Sequence, residues 1–354
     1  MSVNENIAHT SVVQPSKAAL RLEGVFWLTR PQSFFSQVPI ALAAWSLAAG
    51  GLDAAELPKL LLLVVFLMAF QAVMFVVNDI YDAEKDRVSA PYMPIPSGLV
   101  TRNLAIAEAA LLGAIFIGSF FAISHDWFAV IAVLVTIPAA LGTMKLYGAT
   151  KSAWFSPLLG FTTFASAALW AWLMAGRQNP SAFALLFLAA GLHGIHANVR
   201  AQLRDIEGDP KAGNLTLAAR LGAKKTTWLA AIVRFVELCV IALLWFFYGH
   251  DSGWIWLVPA FAIFIVAAIR MPAVYERTRD RVGQTRALYI WVYVSLLAEI
   301  AMLGALEPIV ALPTVTLMFL WFNLLRKGYY RRLVDGRLAQ QFRALTHAEQ
   351  RLGS

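Results

Sequence analysis

The chain has 354 residues, of which 59% are hydrophobic and only 14% charged, with a formal net charge of +8 and a mean hydropathy of +0.64. Soluble domains carry roughly 25% charged residues, so this composition excludes a soluble enzyme and describes a polytopic membrane protein. A single cysteine, Cys239, excludes an intrachain disulfide and any cysteine-based metal site.

Residues 1–32 read as a polar tail and an interfacial helix, with Leu20, Leu22, Val25, Phe26 and Leu28 beside Lys17, Arg21 and Arg30. No cleavable signal is expected there. Apolar runs long enough to cross about 30 Å of hydrocarbon follow near 33–50, 58–80, 104–123, 127–147, 154–176, 181–203, 227–248, 253–270, 284–305 and 309–325. The expected architecture is an all-α helical bundle of about nine to ten transmembrane helices around a central cavity, occupying 33–325. Residues 326–354 read as a basic, helical cytoplasmic tail that is solvated or touches lipid.

Loop charge sets the expected orientation. Lys85, Arg87 and Arg102, then Lys145 and Lys151, then Arg204, Lys211, Arg220, Lys224 and Lys225, then Arg277, Arg279, Arg281 and Arg286 fall on one side with both termini, against only Lys59 and Arg177 opposite. The positive-inside rule makes that side cytoplasmic. These cations are spread over loops beside spans, so they anchor the protein to lipid and form no nucleic-acid patch.

Two short acidic stretches, Asn78–Asp86 and Arg204–Asp209, end the second and sixth runs and hold seven of the 21 acidic residues. If the second run stays helical, Asp79, Asp82 and Asp86 share one face with Gln71, Phe75 and Asn78, while Glu84 lies opposite. On the sixth, Asn198, Gln202, Asp205 and Asp209 stack together and Glu207 lies away from them. Carboxylates beside hydrocarbon are costly and mark function, and oxygen ligands at two span ends suit Mg²⁺ completed by substrate phosphate.

The pattern N-D-x-x-D-x-x-x-D followed by Pro94–Gly98, and D-x-x-x-D followed by Gly213, Thr216, Leu217, Leu221 and Gly222, resembles the UbiA superfamily of intramembrane prenyltransferases. The likeness also takes in Arg30-Pro31, Met144-Lys145 and Tyr147, and spans members of the hydroxybenzoate-polyprenyltransferase-like and chlorophyll-synthase-like kinds. It implies Mg²⁺ held by Asp79, Asp82, Asp86, Asp205 and Asp209, gripping a prenyl diphosphate whose tail lies in an apolar tunnel. Lys145, Arg204 and Lys211 would meet the diphosphate, with Asn78, Asn198 and Gln202 also binding substrate. Asp82 and Lys145 would act in catalysis, and Tyr147 would position or deprotonate a lipophilic, aromatic acceptor. The chain departs from the family at Met93, where an arginine is common, and at Asn214, where a lysine is common. If the loop at Met93 closes over phosphate, an arginine there would tighten diphosphate binding.

Other intramembrane polar residues have plainer readings. Arg234 and Glu237 read as an intrahelical ion pair and His193 and His196 as cavity-lining or packing groups, whereas Glu299, an acid without an obvious partner in its span, reads as a functional candidate. Two other functions fit the same features: a terpene cyclase of the same superfamily, which needs no acceptor, and a cation-coupled transporter, which wants its acids near the midplane.

Overall fold

The computed structural model describes residues 15–150, 153, 155–204, 206, 207, 210, 216–277 and 281–352, with side chains described there except at 89, 140–150, 204, 276, 281–289 and 348–352. All regular structure among these residues is helical. In chain order the helices are α1 (Lys17–Leu28), α2 (Val38–Ala49), α3 (Leu57–Ser89), α4 (Arg102–Ile123), α5 (Trp127–Thr150), α6 (Phe155–Ala175) and α7 (Pro180–Arg204). They continue as α8 (Leu217–Tyr248), α9 (Trp254–Arg277), α10 (Arg281–Leu306), α11 (Pro308–Gly328) and α12 (Arg337–Leu352).

Seven helices among the described residues are long and apolar enough to cross a membrane, and apolar stretches at Trp127–Ala139 and Ile290–Leu306 add shorter pieces of α5 and α10. The protein is thus an integral, multi-pass membrane protein. The first expected span is built differently from the others. Its 3₁₀ segment Pro31–Gln37 feeds α2, and at about 2.0 and 1.5 Å per residue the two together reach roughly 32 Å. Residues Val38–Ala48 of α2 are buried on every side, so this helix is core rather than lipid wall.

Length explains how α3 presents its acids. Its 33 residues extend about 50 Å, some 20 Å more than the hydrocarbon needs. The apolar part before Asn78 is by itself long enough to cross the hydrocarbon, so the polar end from Asn78 onward is surplus to the span. Near the other end, Phe66 and Phe70 of α3, Phe116 of α4 and Trp170 of α6 form an aromatic core, with Phe66–Phe116 centroids 4.5 Å apart and Phe70–Trp170 4.7 Å.

The 3₁₀ segment joins the parts of the bundle. Ser36 Oγ accepts from Gln71 Nε2 of α3 at 2.6 Å, Gln37 Nε2 donates to Thr163 O of α6 at 3.4 Å, and Pro31 O accepts from Trp321 Nε1 of α11 at 2.7 Å. Helices α6 and α7 meet backbone to backbone at Gly160 and Gly194, where a Cβ on either would overlap the other's carbonyl. Such close approach between spans requires small residues.

The tail, expected to be solvated or to touch lipid, packs one face against the rest of the chain. A π-helical turn, Tyr329–Val334, leads into α12, and Tyr329, Leu333, Leu338 and Phe342 bury themselves against Leu20 and Trp27 of α1 and Ala90, Met93 and Leu99 of the loop after α3. The hydrophobic face of α12 therefore finds its partner within the chain.

Candidate active site

Helix α3 runs unbroken through the first acidic stretch, so its expected phase is realised. Asp79 is buried, at 2% exposure, and Asp82 and Asp86 follow it half-buried, whereas Glu84 is exposed and pairs with Arg87 at 2.9 Å. Asp79 Oδ1 takes Arg30 Nη2 at 2.6 Å. Its Oδ2 is buried with no hydrogen-bond partner among the described residues. Asn78 Nδ2 donates to Asp82 Oδ2 at 3.1 Å, one helical turn on, and so orients that carboxylate.

Sequence reasoning did not pair Arg30 with Asp79, 49 residues apart. Arg30 stands in the left-handed region, at φ 52° and ψ 57°, a conformation that costs a non-glycine residue roughly 1–3 kcal/mol. Several contacts hold it: its N–H donates to Trp27 O at 3.2 Å, its carbonyl accepts from Ser33 N at 2.9 Å, and its guanidinium lies 4.8 Å from the Phe75 ring centroid. A hydrogen bond between charged partners contributes about 1.5–3 kcal/mol, enough to offset the backbone strain. The signal in the sequence was Arg30-Pro31 at a span entrance, which fixes the following φ but names no partner.

On α7 the two amides expected at the substrate are engaged with protein. Asn198 Oδ1 accepts from Ser156 Oγ at 2.5 Å and from Gln202 Nε2 at 2.9 Å, while Gln202 Nε2 also reaches Ser156 Oγ at 3.1 Å. Gln202 Oε1 accepts from Ala218 N at 3.3 Å, at the start of α8. This knot ties α6, α7 and α8 together. Ser156 carried no sequence signal, being one serine at the head of an apolar run. Asp205, Asp209 and Lys211 lie outside the described residues, as do the side chains of Lys145, Tyr147 and Arg204. Among the described residues no three His, Cys, Asp or Glu side chains form a group that could hold a metal.

A second polar cluster lies deep in the bundle. His193 bridges two acids, its Nδ1 3.0 Å from Glu237 Oε1 and its Nε2 2.8 Å from Glu299 Oε1, so Glu299 has the partner that its own span lacks. Arg234 Nη1 donates to Glu237 Oε1 at 2.5 Å, and its Nη2 reaches His196 Nδ1 at 2.6 Å and Ser295 Oγ at 3.0 Å. An arginine only donates, so His196 Nδ1 accepts and that ring carries its proton on Nε2. The simple ion pair expected for Arg234 and Glu237 is one edge of a network joining α7, α8 and α10.

An apolar helical bundle with a buried aspartate and two more on the same face of α3 describes a membrane protein with an acidic site at one end of a long span. The chain matches the UbiA prenyltransferase family over residues 38–283 and belongs to it. Its relatives include digeranylgeranylglyceryl phosphate synthases. That of Methanoregula boonei is 30% identical over 66% of this chain and 80% of its own length, and that of Thermococcus kodakarensis is 27% identical over 78% and 96%. The match to the Saccharolobus solfataricus enzyme spans 66% of that protein's length. In three dimensions the chain resembles a digeranylgeranylglyceryl phosphate synthase structure, with a TM-score of 0.56 and 21% identity over 81% of this chain and 99% of that one. It also resembles a UbiA homolog from Archaeoglobus fulgidus solved with GPP and Mg²⁺, with a TM-score of 0.54 and 14% identity over 79% and 99%. At these identities the structural likeness concerns the fold.

Proposed function

We propose that the protein transfers an isoprenyl group from a prenyl diphosphate to a lipophilic acceptor within the membrane, dependent on Mg²⁺. The observation that carries this reading is Asp79, a buried carboxylate with one unpartnered oxygen, on the same face as Asp82 and Asp86. Leaving a buried acceptor unpaired costs about 1–3 kcal/mol, more when it is charged, and a hard divalent cation satisfies it. The donor set on this face is carboxylate oxygen without sulfur or imidazole, which fits Mg²⁺ rather than a softer metal. Asp79, Asp82 and Asp86 would hold the ion from α3, with Asp205 and Asp209 supplying the other side. Bound there, Mg²⁺ supplies the positive charge that a departing diphosphate needs.

The chain's own groups do the rest. Arg30 fixes the orientation of Asp79 and Asn78 that of Asp82, so both carboxylates are positioned before substrate arrives. Lys145, Arg204 and Lys211 are the proposed cationic contacts to diphosphate, and Tyr147 the proposed acceptor-positioning group. Asn198 and Gln202 serve by holding α7 against α6 and α8. Resemblance favoured an aromatic acceptor, whereas relatives named digeranylgeranylglyceryl phosphate synthases favour a prenylated glyceryl phosphate.

Purified protein with Mg²⁺, a ladder of prenyl diphosphates and a panel of both acceptor kinds, scored by product mass, tests the reading. A prenylated acceptor is the expected product. A cyclic hydrocarbon or alcohol formed without acceptor would make the protein a cyclase. Asp79→Ala and Asp205→Ala should each abolish turnover in folded protein, and near-normal activity in either would refute the metal assignment.

A further inference from the structure

Helix α1 and everything from Tyr329 onward fall outside the stretch that matches the family, yet they meet beside the loop that follows the first acidic stretch. Both oxygens of Glu23 accept from Arg332: Nε donates to Oε1 at 2.5 Å and Nη2 to Oε2. Trp27 Nε1 also donates to Glu23 Oε1 at 3.1 Å, and Arg332 Nη1 donates to Gln341 Oε1 at 3.0 Å. Planar two-point pairing of this kind fixes orientation as well as distance. Around it Trp27 and Tyr329 stack edge to face with centroids 6.0 Å apart, and Arg21 lies 5.6 Å from the Phe342 ring centroid.

Two routes run from this junction to the aspartates. The first follows α1: Trp27 leads to the left-handed Arg30, whose N–H it accepts, and Arg30 grips Asp79. The second follows the loop 90–100. Met93 and Leu99 are buried against α1 and the tail, Gly24 of α1 lies so close that a Cβ would sit 2.6 Å from Leu99 Cδ2, and Ala90 N donates to Asp86 O at 2.8 Å. The loop is otherwise a series of turns, with backbone bonds such as Met93 N to Ala90 O and Ser97 N to Met93 O. Turns outside a helix or sheet open more easily than regular elements unless docked.

We propose that the C-terminal segment Tyr329–Thr346 is a strap that, through α1, positions Arg30 and the loop 90–100 at the first acidic face, with Arg332 and Glu23 as positioning residues for prenyl diphosphate binding. The proposal rests on the prenyltransferase reading above. It gives Met93 a different role from the phosphate-facing one expected from its place in the motif: Met93 is the apolar anchor by which the strap holds the loop.

Full-length protein in detergent, as Arg332→Glu, Glu23→Arg and the double charge swap, tests it with two readouts. Hydrogen exchange of peptides covering 90–100 should rise about tenfold in each single variant, and GPP affinity with Mg²⁺ should fall about tenfold. The double swap should restore both in large part, which a variant that merely misfolds cannot do. Unchanged exchange in the single variants overturns the strap. Raised exchange with unchanged GPP affinity overturns its positioning role, as does a double swap no better than the singles. If the parent itself fails to bind GPP, the prenyltransferase reading fails instead, and exchange alone decides the strap.

Discussion

Replacing Glu237 by Gln is the sharpest test of the buried network. The carboxylate accepts from Arg234 at 2.5 Å and lies 3.0 Å from His193 Nδ1, and all three side chains are at most 1% exposed. Removing one partner of a buried pair costs about 3–5 kcal/mol, because the other charge stays buried. The lower figure already changes the folding equilibrium about 150-fold. The melting point in detergent should fall by at least about 5 °C. Glu84→Gln is the control: its pair with Arg87 is exposed at 78% and 65%, so it should cost at most about 0.5 kcal/mol. Restoring balance with Arg234→Met on top of Glu237→Gln should recover part of the loss, since neighbouring charges couple. A shift below about 1 °C for Glu237→Gln would show that the network carries no charge-pairing energy and would refute the reasoning.

Three further outcomes follow from particular contacts. Met93→Arg should destabilise the loop and weaken GPP binding, because the new cation would be buried among Leu20, Trp27 and Phe342; tighter binding would return the loop to the phosphate-facing role. Gly194→Leu should lower thermal stability by about 1–3 kcal/mol or more through overpacking, whereas Gly113→Leu on α4, with nothing within 4 Å of its Cβ, should be tolerated in the same melting assay. Partial burial opposes the charge of Glu23, but the bonds from Arg332 and Trp27 outweigh it and hold its carboxyl below the usual range. The depressed value means that this stabilisation is present at neutral pH and is lost as pH falls below about 4. Exchange of 329–346, corrected for intrinsic rate, should be flat from neutral pH to about 5 and rise below that.

Local pattern made much of the first acidic stretch legible. Helical period put Asp79, Asp82 and Asp86 on one face and Glu84 on the other, and the structure shows Asp79 buried and Glu84 exposed. The pairing of Arg30 with Asp79 was not legible, because 49 residues separate them and hydrophobic period says nothing about contacts between elements. The same limit applies to Glu299, whose partner His193 comes from another helix, and to Asn198 and Gln202, whose polar faces suited substrate as well as they suit Ser156. Composition made the tail look solvated because seven Lys and Arg residues are interspersed among its apolar ones. Burial depends on which face the apolar residues share and on what covers it.

By itself the sequence determined the membrane character, the all-helical class and the phase of the acidic helix, since each follows from residue type and spacing along one element, and its two motifs carried the resemblance to the family. Tertiary structure alone decided that Arg30 is held left-handed against Asp79, that Met93 is buried with residues of α1 and the tail, and that α1 pairs with the segment after α11. Those are contacts between distant segments. Their energies come from complementary shape and charge brought together by folding, which no periodicity along the chain encodes.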